Sequence, residues 1–304
     1  MRVGAVLEAR ASRMARLLTA DNAISALETV VIEPLSEKYT PKLGVMMKAN
    51  DDNAGTKSYL KAIKRCADKY KSNLDLIEVT NASNAYQKLA LVKEDPTYDG
   101  LIIISDFTGS DGRTVQNYIP APLDIDCASA FSIGTMICDS SLLFYRSAPC
   151  TATAVYKMLE YNEVPIEGKR VGVVGRSLRV GRAVAQLMQR ANGTVTLYHS
   201  KSDLSNLRDM DIVVAAIGKP KHLTADLFRE SQVVVDVGIN TDENGKLCGD
   251  VDFENVKEVL GEDGAITPSP CGIGPLTNAI LFSKLYVNAM HLKGGKTSME
   301  IKQC

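Results

Sequence analysis

The sequence predicts an α/β protein of two lobes, each built around a parallel sheet, with an active-site cleft between the lobes. Short apolar runs alternate with helical patterns from about residue 40 onward, and this alternation is typical of parallel strands joined by right-handed crossovers. The runs are apolar throughout, as in strands that are covered on both faces. Between about residues 106 and 150 the alternation gives way to loop-rich sequence, which separates the lobes.

The first lobe has three predicted strands. They are the runs KLGVMM, LDLIEV and GLIIIS, and helical patterns at 53–70 and 82–93 connect them. The stretch TKSYLKAIKRC in the first helix places Tyr59 and Ile63 on one face, because residues four apart lie about 40° apart around a helix. Lys61 lies on another face, roughly 200° from Tyr59 around the helix.

The second lobe begins with a helix near 151–162, followed by a strand, a glycine turn and a helix in KRVGVVGRSLRVGRAVAQLM. TVTLYHS, MDIVVAAIG and QVVVDVGIN predict further strands of a doubly wound parallel sheet, and NTDENGKL has the Asn-Gly chemistry of a hairpin turn. A last helix spans about 275–292. We therefore expect one domain of residues 1–150, joined by the C-terminal segment 275–304, and a second domain of residues 151–274.

Composition is that of an ordinary globular protein, with 304 residues, 45% apolar, 23% charged and a net charge of −1. This charge favours neither nucleic acid nor a membrane surface, and no apolar run reaches the ~18 residues of a membrane helix. The seven cysteines include no C-x-x-C pair, so we expect reduced thiols, no metal site and a cytoplasmic location. The N-terminus is a poor secretory signal, and Glu8 counts against a mitochondrial presequence.

A nucleotide-binding loop is the first functional candidate. In VGVVGRSLRVGRAVAQL a strand ends at Gly175, and Gly181 allows the following helix to pack closely. Backbone N–H groups and the positive end of that helix would face a pyrophosphate, as in Rossmann-like domains. The spacing differs from G-x-G-x-x-G, so an ordinary strand–helix turn is the alternative interpretation.

The end of the next strand favours NADP over NAD. NAD sites place a carboxylate there to accept the ribose 2′-hydroxyl, whereas TVTLYHS ends in His199 and Ser200, followed by Lys201. Arg176 could supply a bidentate partner for a 2′-phosphate. Asp203 is close in sequence, but an acid is expected at the start of the following helix.

Five motifs occur in order with short spacings: GRSLRVGRAVAQL, TVTLYHSKS, VVVDVGIN, GDVDF and ITPSPCGIGPLT. Together they resemble the methylenetetrahydrofolate dehydrogenase/cyclohydrolase family, closely over the second lobe and more loosely over the first. The resemblance implies a Rossmann-like NADP-binding domain, a small-molecule folate substrate and a homodimer that forms through the cofactor domain.

The same resemblance implies the site residues. For the cofactor they are Gly175, Arg176, Ser177, Gly181, Ser200 and Ile239. For the substrate they are Tyr59, Ile63, Ile104, Ser105, Asp126, Pro270, Gly272, Gly274 and Thr277. Tyr59 matches an aromatic residue that stacks near the folate, and Asp126 matches the acid that anchors the pterin ring, so these two are the expected catalytic residues. A carboxylate suits that task because it can accept two N–H donors from an aminopyrimidine.

Departures from the family pattern concentrate in the first lobe. Bifunctional members carry a lysine four residues after the tyrosine and a glutamine at the end of the third strand, where this chain has Ile63 and Ile104. SDFTG replaces the L-P-L-P that follows, and Cys271-Gly272 replaces a double glycine in the closing segment. A one-residue shift of the alignment would bring Lys64 to the lysine position and is an alternative.

These departures predict a dehydrogenase with little or no cyclohydrolase activity. Hydride transfer from the methylene bridge needs two rings held face to face and no proton transfer by the protein. Hydrolysis of the methenyl ring needs a poised base, which isoleucine cannot supply. Three alternatives stay open: a bifunctional enzyme that uses Lys61 or Lys64, a dehydrogenase of another one-carbon carrier such as methylene-tetrahydromethanopterin, and a non-catalytic folate- or nucleotide-binding protein.

Overall fold

The computed structural model describes residues 14–105, 107–110, 112–138, 147–269 and 272–294. These residues divide into two compact units, and each has its own parallel sheet. The six-stranded unit contains the described residues up to Ala23 and those of Thr151–Leu276. The three-stranded unit contains the described residues of Ile24–Cys150 and those from Thr277 onward.

The described chain forms, in order, β1 (Arg16–Leu17), α1 (Asp21–Leu27), α2 (Glu33–Ser36), β2 (Lys42–Lys48), α3 (Ala54–Lys69), β3 (Asn73–Val79), α4 (Ala82–Glu94), β4 (Gly100–Ile103), α5 (Ala130–Cys138), α6 (Cys150–Tyr161), β5 (Arg170–Val174), α7 (Ala183–Arg190), β6 (Thr194–Tyr198), β7 (Ile212–Ala215), β8 (Val233–Asp236), β9 (Asn240–Thr241), β10 (Leu247–Cys248), α8 (Phe253–Leu260), β11 (Ala265–Ile266) and α9 (Ile273–Lys293). A π-helical turn, Glu28–Ile32, joins α1 to α2, and a second, Leu178–Arg182, leads into α7. Within these ranges no helix has the length and apolar character needed to cross a membrane.

The three-stranded sheet has the order β3-β2-β4, and both neighbouring pairs are parallel. Asparagine caps begin two of the helices that flank these strands in sequence. Asn53 Oδ1 accepts from the Thr56 amide at 3.0 Å at the start of α3, and Asn81 Oδ1 accepts from the Asn84 amide at 2.9 Å at the start of α4. The strands and helices predicted for this lobe are confirmed to within two residues.

The six-stranded sheet has the order β1-β11-β8-β7-β5-β6, and every neighbouring pair is parallel. The chain places β6 on one side of β5 and then returns to place β7 on the other side, so the sheet is doubly wound as predicted. Buried apolar residues of adjacent strands, among them Val174, Val213 and Val234, form part of its core. The predicted hairpin is the antiparallel pair β9–β10, with Thr241 opposite Leu247.

The expected 1–150 domain is corrected at its start. Arg16 and Leu17 of β1 pair with Ala265 and Ile266 of β11, so the described residues up to Ala23 group with the six-stranded unit. Strands of two residues carry no periodic pattern, and for this reason the sequence did not reveal this pairing. The helices α1, α2, α5 and α8 were also not predicted. At the other end of the chain, the division between the units falls within α9, after Leu276.

Candidate functional site

The clearest candidate site lies where β5 ends. Gly175 follows β5 with φ +119°, a backbone conformation that side chains rarely adopt. A Cβ placed on Gly175 would lie 2.1 Å from the carbonyl oxygen of Ala216, the residue that follows β7. The Gly175 amide donates to the carbonyl of Tyr198, the last residue of β6, at 3.0 Å. Three strand ends therefore meet at a position that only glycine can occupy without displacing the backbone.

Ser177 and Gly181 build the start of the helix that follows. Ser177 Oγ accepts from the Gly181 amide at 3.4 Å, and a Cβ on Gly181 would lie 2.0 Å from the Gly175 carbonyl oxygen. The turn Leu178–Arg182 then continues directly into α7. The positive end of a helix favours an anionic group, and close packing of the two glycines presents backbone rather than side chains at this surface.

The position of this loop within the sheet supports nucleotide binding. β6 and β7 lie on opposite sides of β5, so a topological switch point falls between β5 and β7. Open parallel sheets bind ligands at the carboxyl ends of their strands at such a point. Gly175 and Ala216 occupy this edge, and the predicted cofactor loop thus lies where folds of this kind bind ligands.

The residues predicted to select the cofactor lie at the ends of β5 and β6. Arg176 directly follows Gly175, Ser200 follows β6, and both side chains are exposed. Asp203 Oδ1 accepts from the Ser205 amide at 2.9 Å, and hydrogen bonds to Ser205 lower the pKa of this carboxyl. Asp203 is therefore engaged at the start of the next helical turn, as predicted from its place in the sequence.

A buried carboxylate that sequence analysis missed shapes the loop after β7. Asp250 has no exposed surface. Its Oδ2 accepts from the amides of Ile217 at 2.6 Å and Gly218 at 3.1 Å, and its Oδ1 accepts from the Lys219 amide at 2.9 Å. One carboxylate thus fixes three consecutive amides at the edge of the sheet that carries the glycine loop.

A second buried carboxylate, Asp236, ends β8 and organises the next loop. It accepts from the amides of Gly238 at 2.9 Å, Asp250 at 3.0 Å and Val251 at 3.1 Å. Burial raises the pKa of Asp236 to about 6. An acid that interrupts the apolar run VVVDV is the signal that could have marked this residue in the sequence.

The predicted closing residues lie beside the loop after β8. Ile239 is 61% exposed. A Cβ placed on Gly274 would lie 3.8 Å from Ile239 Cδ1, so these two predicted positions are neighbours. A Cβ on Gly272 would lie 2.6 Å from the carbonyl oxygen of Pro268, which shows a close backbone approach there. Pro270 lies outside the described residues.

In the three-stranded unit, Ile104 and Ser105 follow the end of β4. Ser105 is buried, donates from Oγ to Asp51 Oδ2 at 2.6 Å and accepts from the Lys48 amide at 3.0 Å. The hydrogen bond from Ser105 is the main reason that the pKa of Asp51 is lowered. Ile104 is half-buried. β3 and β4 lie on opposite sides of β2, so a second switch point falls between the carboxyl ends of β2 and β4. Through its two hydrogen bonds, Ser105 connects the end of β4 to the end of β2.

The helix α3 carries the other predicted residues of this lobe. Tyr59 is half-buried, Lys61 and Lys64 are exposed, and Ile63 has no exposed surface. A fully buried isoleucine packs in the core of the unit, offers no surface to a ligand in this structure and cannot accept a proton. On the face of α3 that carries Tyr59, the residue one turn later is therefore a core isoleucine and not a lysine.

Asp126 lies among buried groups that sequence analysis did not connect with it. The Cys150 amide donates to Asp126 Oδ1 at 3.2 Å. Cys127 is in the left-handed region with φ +51°, and burial raises the pKa of the Cys127 and Cys150 thiols, so both stay protonated and unreactive at neutral pH. Lys284 on α9 is close enough for its charge to interact with Asp126. Thr277, another predicted residue of the substrate site, is buried at the start of the same helix.

Comparisons with known proteins agree with these features. The sequence profile described as tetrahydrofolate dehydrogenase/cyclohydrolase, NAD(P)-binding domain, matches residues 149–293. The chain is 37% identical over 253 residues to the bifunctional protein FolD of Staphylococcus haemolyticus, and the match covers 81% of this chain and 86% of that protein.

Solved structures show the same fold. The bifunctional FolD methylenetetrahydrofolate dehydrogenase/cyclohydrolase of Campylobacter jejuni has a TM-score of 0.78 at 27% identity, over 91% of this chain and 99% of that chain. A 5,10-methylenetetrahydrofolate dehydrogenase of the silkworm Bombyx mori has a TM-score of 0.77 at 25% identity, with the same coverage of both chains.

Proposed function

The chain belongs to the tetrahydrofolate dehydrogenase/cyclohydrolase family, and from that premise we propose that it is a 5,10-methylenetetrahydrofolate dehydrogenase that uses NADP and has lost cyclohydrolase activity. The observation that carries the proposal is the contrast between two positions. The glycine loop at Gly175 keeps the geometry of a nucleotide site, whereas Ile63, at the place of the family's lysine, is fully buried.

The retained residues suit the dehydrogenase reaction. A hydride leaves the carbon between the two folate nitrogens, and these nitrogens stabilise the methenyl cation that results, so the protein has to position two rings and need not transfer a proton. NADP, when bound, supplies the hydride acceptor. Gly175, Ser177 and Gly181 would hold its pyrophosphate against the start of α7, and Asp126 would accept N–H donors from the pterin ring.

The choice of NADP is supported by what surrounds the end of β6. Arg176 and Ser200 are exposed at the ends of neighbouring strands, where a guanidinium and a hydroxyl could bind the 2′-phosphate. The nearby acid, Asp203, accepts from the Ser205 amide through Oδ1, which fits a role at the start of the next helical turn rather than in binding a ribose hydroxyl.

The loss of hydrolysis is supported by the lysines of the three-stranded unit. Lys61 and Lys64 are exposed on α3. Burial lowers the pKa of Lys284, and the charge of Asp126 raises it. Lys284 Nζ also donates to the Ala148 carbonyl, which favours the ammonium form, and an ammonium held in this way is a poor general base.

A bifunctional enzyme is the second candidate, because the relatives in Staphylococcus haemolyticus and Campylobacter jejuni are both named as bifunctional. In that case one of the lysines would have to lose a proton near the substrate. The two candidates share the dehydrogenase reaction and differ only in hydrolysis, so one additional assay separates them.

The test is a pair of spectrophotometric assays on the purified protein. The first follows reduction of NADP or NAD with 5,10-methylenetetrahydrofolate, and we expect kcat/KM to be at least ~10-fold higher with NADP because a bidentate arginine contact to phosphate is lost with NAD. The second follows decay of 5,10-methenyltetrahydrofolate without nucleotide, and we expect the rate of buffer alone.

The outcomes discriminate between all the candidates. Hydrolysis above the buffer rate that disappears in Lys61→Met, Lys64→Met or Lys284→Met would establish the bifunctional enzyme. Turnover with methylene-tetrahydromethanopterin in place of the folate would identify a different carrier. Binding of NADP and folate without any turnover would leave a non-catalytic protein and refute the proposal.

A further inference from the structure

The C-terminal helix α9 places an ammonium group beside the predicted pterin anchor. Lys284 Nζ donates to the Ala148 carbonyl and lies 3.6 Å from Cys127 Sγ. Its side chain is partly buried, and Asp126 is one of the groups whose charge acts on it. All four residues belong to the three-stranded unit.

The contacts of Lys284 fall on both sides of the Asp126 carboxylate. Cys127 is the next residue in the chain, and its left-handed φ of +51° turns the backbone directly after Asp126. On the other side, Ala148 lies two residues before Cys150, whose amide donates to Asp126 Oδ1 at 3.2 Å. Fixing the Ala148 carbonyl therefore fixes the segment that holds the carboxylate.

A charged side chain at position 284 of α9 is explained if its ammonium charge acts on Asp126. Leu281 and Leu285, the near neighbours of Lys284 in sequence on α9, have no exposed surface. A methionine would fill the same space, and replacing a buried charge by an apolar side chain is often neutral or stabilising when the charge serves packing alone. Lysine at this place is thus costly unless its charge acts on the neighbouring carboxylate and its N–H donors hold the segment that binds that carboxylate.

We infer that Lys284 is a positioning residue for the Asp126 carboxylate, which it orients by holding the Ala148–Cys150 segment and by opposing the negative charge. The inference rests on the proposed function, since it assigns Lys284 to the folate-binding half of that site. Lys284 acts through Asp126 and does not replace the missing base at position 63, because its Nζ is engaged as a donor by the Ala148 carbonyl.

A double-mutant cycle tests the inference with 5,10-methylenetetrahydrofolate as the probe. In Lys284→Met we expect KM for the folate to rise about 10- to 100-fold, the range for loss of a charge-assisted hydrogen bond, while KM for NADP changes less than about twofold. In an Asp126→Asn background, where the carboxylate is already absent, the same replacement should change kcat/KM less than about threefold.

A second variant guards against loss of folding. Lys284→Gln keeps an N–H donor for the Ala148 carbonyl and loses the charge, so it should fold and raise the folate KM to a value between those of the unmodified chain and Lys284→Met. Lys93→Met, an exposed lysine on α4, is the matched control and should leave both KM values unchanged.

Three results are decisive. An unchanged folate KM in Lys284→Met and Lys284→Gln, or effects of Lys284→Met and Asp126→Asn that multiply, would overturn the positioning role while leaving the dehydrogenase intact. An unmodified chain that neither binds tetrahydrofolate in calorimetry nor reduces NADP would refute the proposed function and this inference together. A non-multiplicative cycle with an unchanged KM for NADP supports the inference.

Discussion

Gly175→Ala is expected to be strongly destabilising for two separable reasons, and the chain contains a control for each. At φ +119° the new Cβ meets a backbone that favours glycine, and it would lie 2.1 Å from the Ala216 carbonyl oxygen. A strained backbone conformation costs about 1–3 kcal/mol, and forcing extra atoms into packed structure costs about 1–3 kcal/mol. We therefore expect the free energy of unfolding to fall by about 2–6 kcal/mol.

Two other replacements isolate the two contributions. Gly168 has φ +72°, and a Cβ added there would meet no atom within 4 Å, so Gly168→Ala has only the conformational cost of about 1–2 kcal/mol, less about 0.4–1 kcal/mol gained from a stiffer unfolded chain. Gly181 has an ordinary φ, but its Cβ would lie 2.0 Å from the Gly175 carbonyl oxygen, so Gly181→Ala has only the steric cost.

The assay is urea unfolding of all three variants, followed by far-UV circular dichroism, with the unmodified chain as reference. The expected order of destabilisation is Gly168→Ala smallest, Gly181→Ala intermediate and Gly175→Ala largest. If Gly175→Ala loses no more stability than Gly168→Ala, then β5 and β7 do not approach closely at this point, and a backbone-lined nucleotide site there is refuted.

Two further predictions concern buried positions. Because burial raises the pKa of Asp236 to about 6, its proton binds more tightly in the folded chain, and the resulting stabilisation is complete below about pH 4 and is lost as pH rises through about 6. Urea titrations at several pH values should compare the unmodified chain with Asp236→Asn. The unfolding free energy of the unmodified chain minus that of the variant should fall by up to about 3 kcal/mol between pH 4 and 7. Parallel pH profiles of the two proteins would contradict this. Ile63→Lys should lower the unfolding free energy by about 3–5 kcal/mol, because it puts an unpaired ammonium at a fully buried position, whereas Ile63→Met should cost less than about 1.5 kcal/mol. Equal melting temperatures for the two variants would show that position 63 reaches solvent.

The strands of both sheets were predictable wherever an apolar run is long enough to carry a pattern. β2, β5 and β7 are such runs, and each is flanked by turn residues that mark its end. β1 and β11 have two residues each, and their pairing depends on the sheet edge that they complete, which no local pattern records.

The candidate site was predictable in part, for a similar reason. Gly175 and Gly181 were identifiable because a strand–glycine–helix pattern is local. Asp250 escaped because its meaning depends on amides at 217–219, which are about 30 residues away in sequence and adjacent only in the folded sheet. Lys284 escaped because a lysine on a long helix is usually solvated, and its proximity to Cys127 and Asp126 is a property of the tertiary structure.

The edge position of β1 has a bearing on how the protein is made. Arg16 and Leu17 leave the ribosome about 250 residues before their partners Ala265 and Ile266. At typical synthesis rates the nascent β1 segment, which includes Leu18 that is fully buried once folded, stays without its partner for more than about 10 s. Completion of the six-stranded sheet therefore waits until Ala265 and Ile266 have been synthesised.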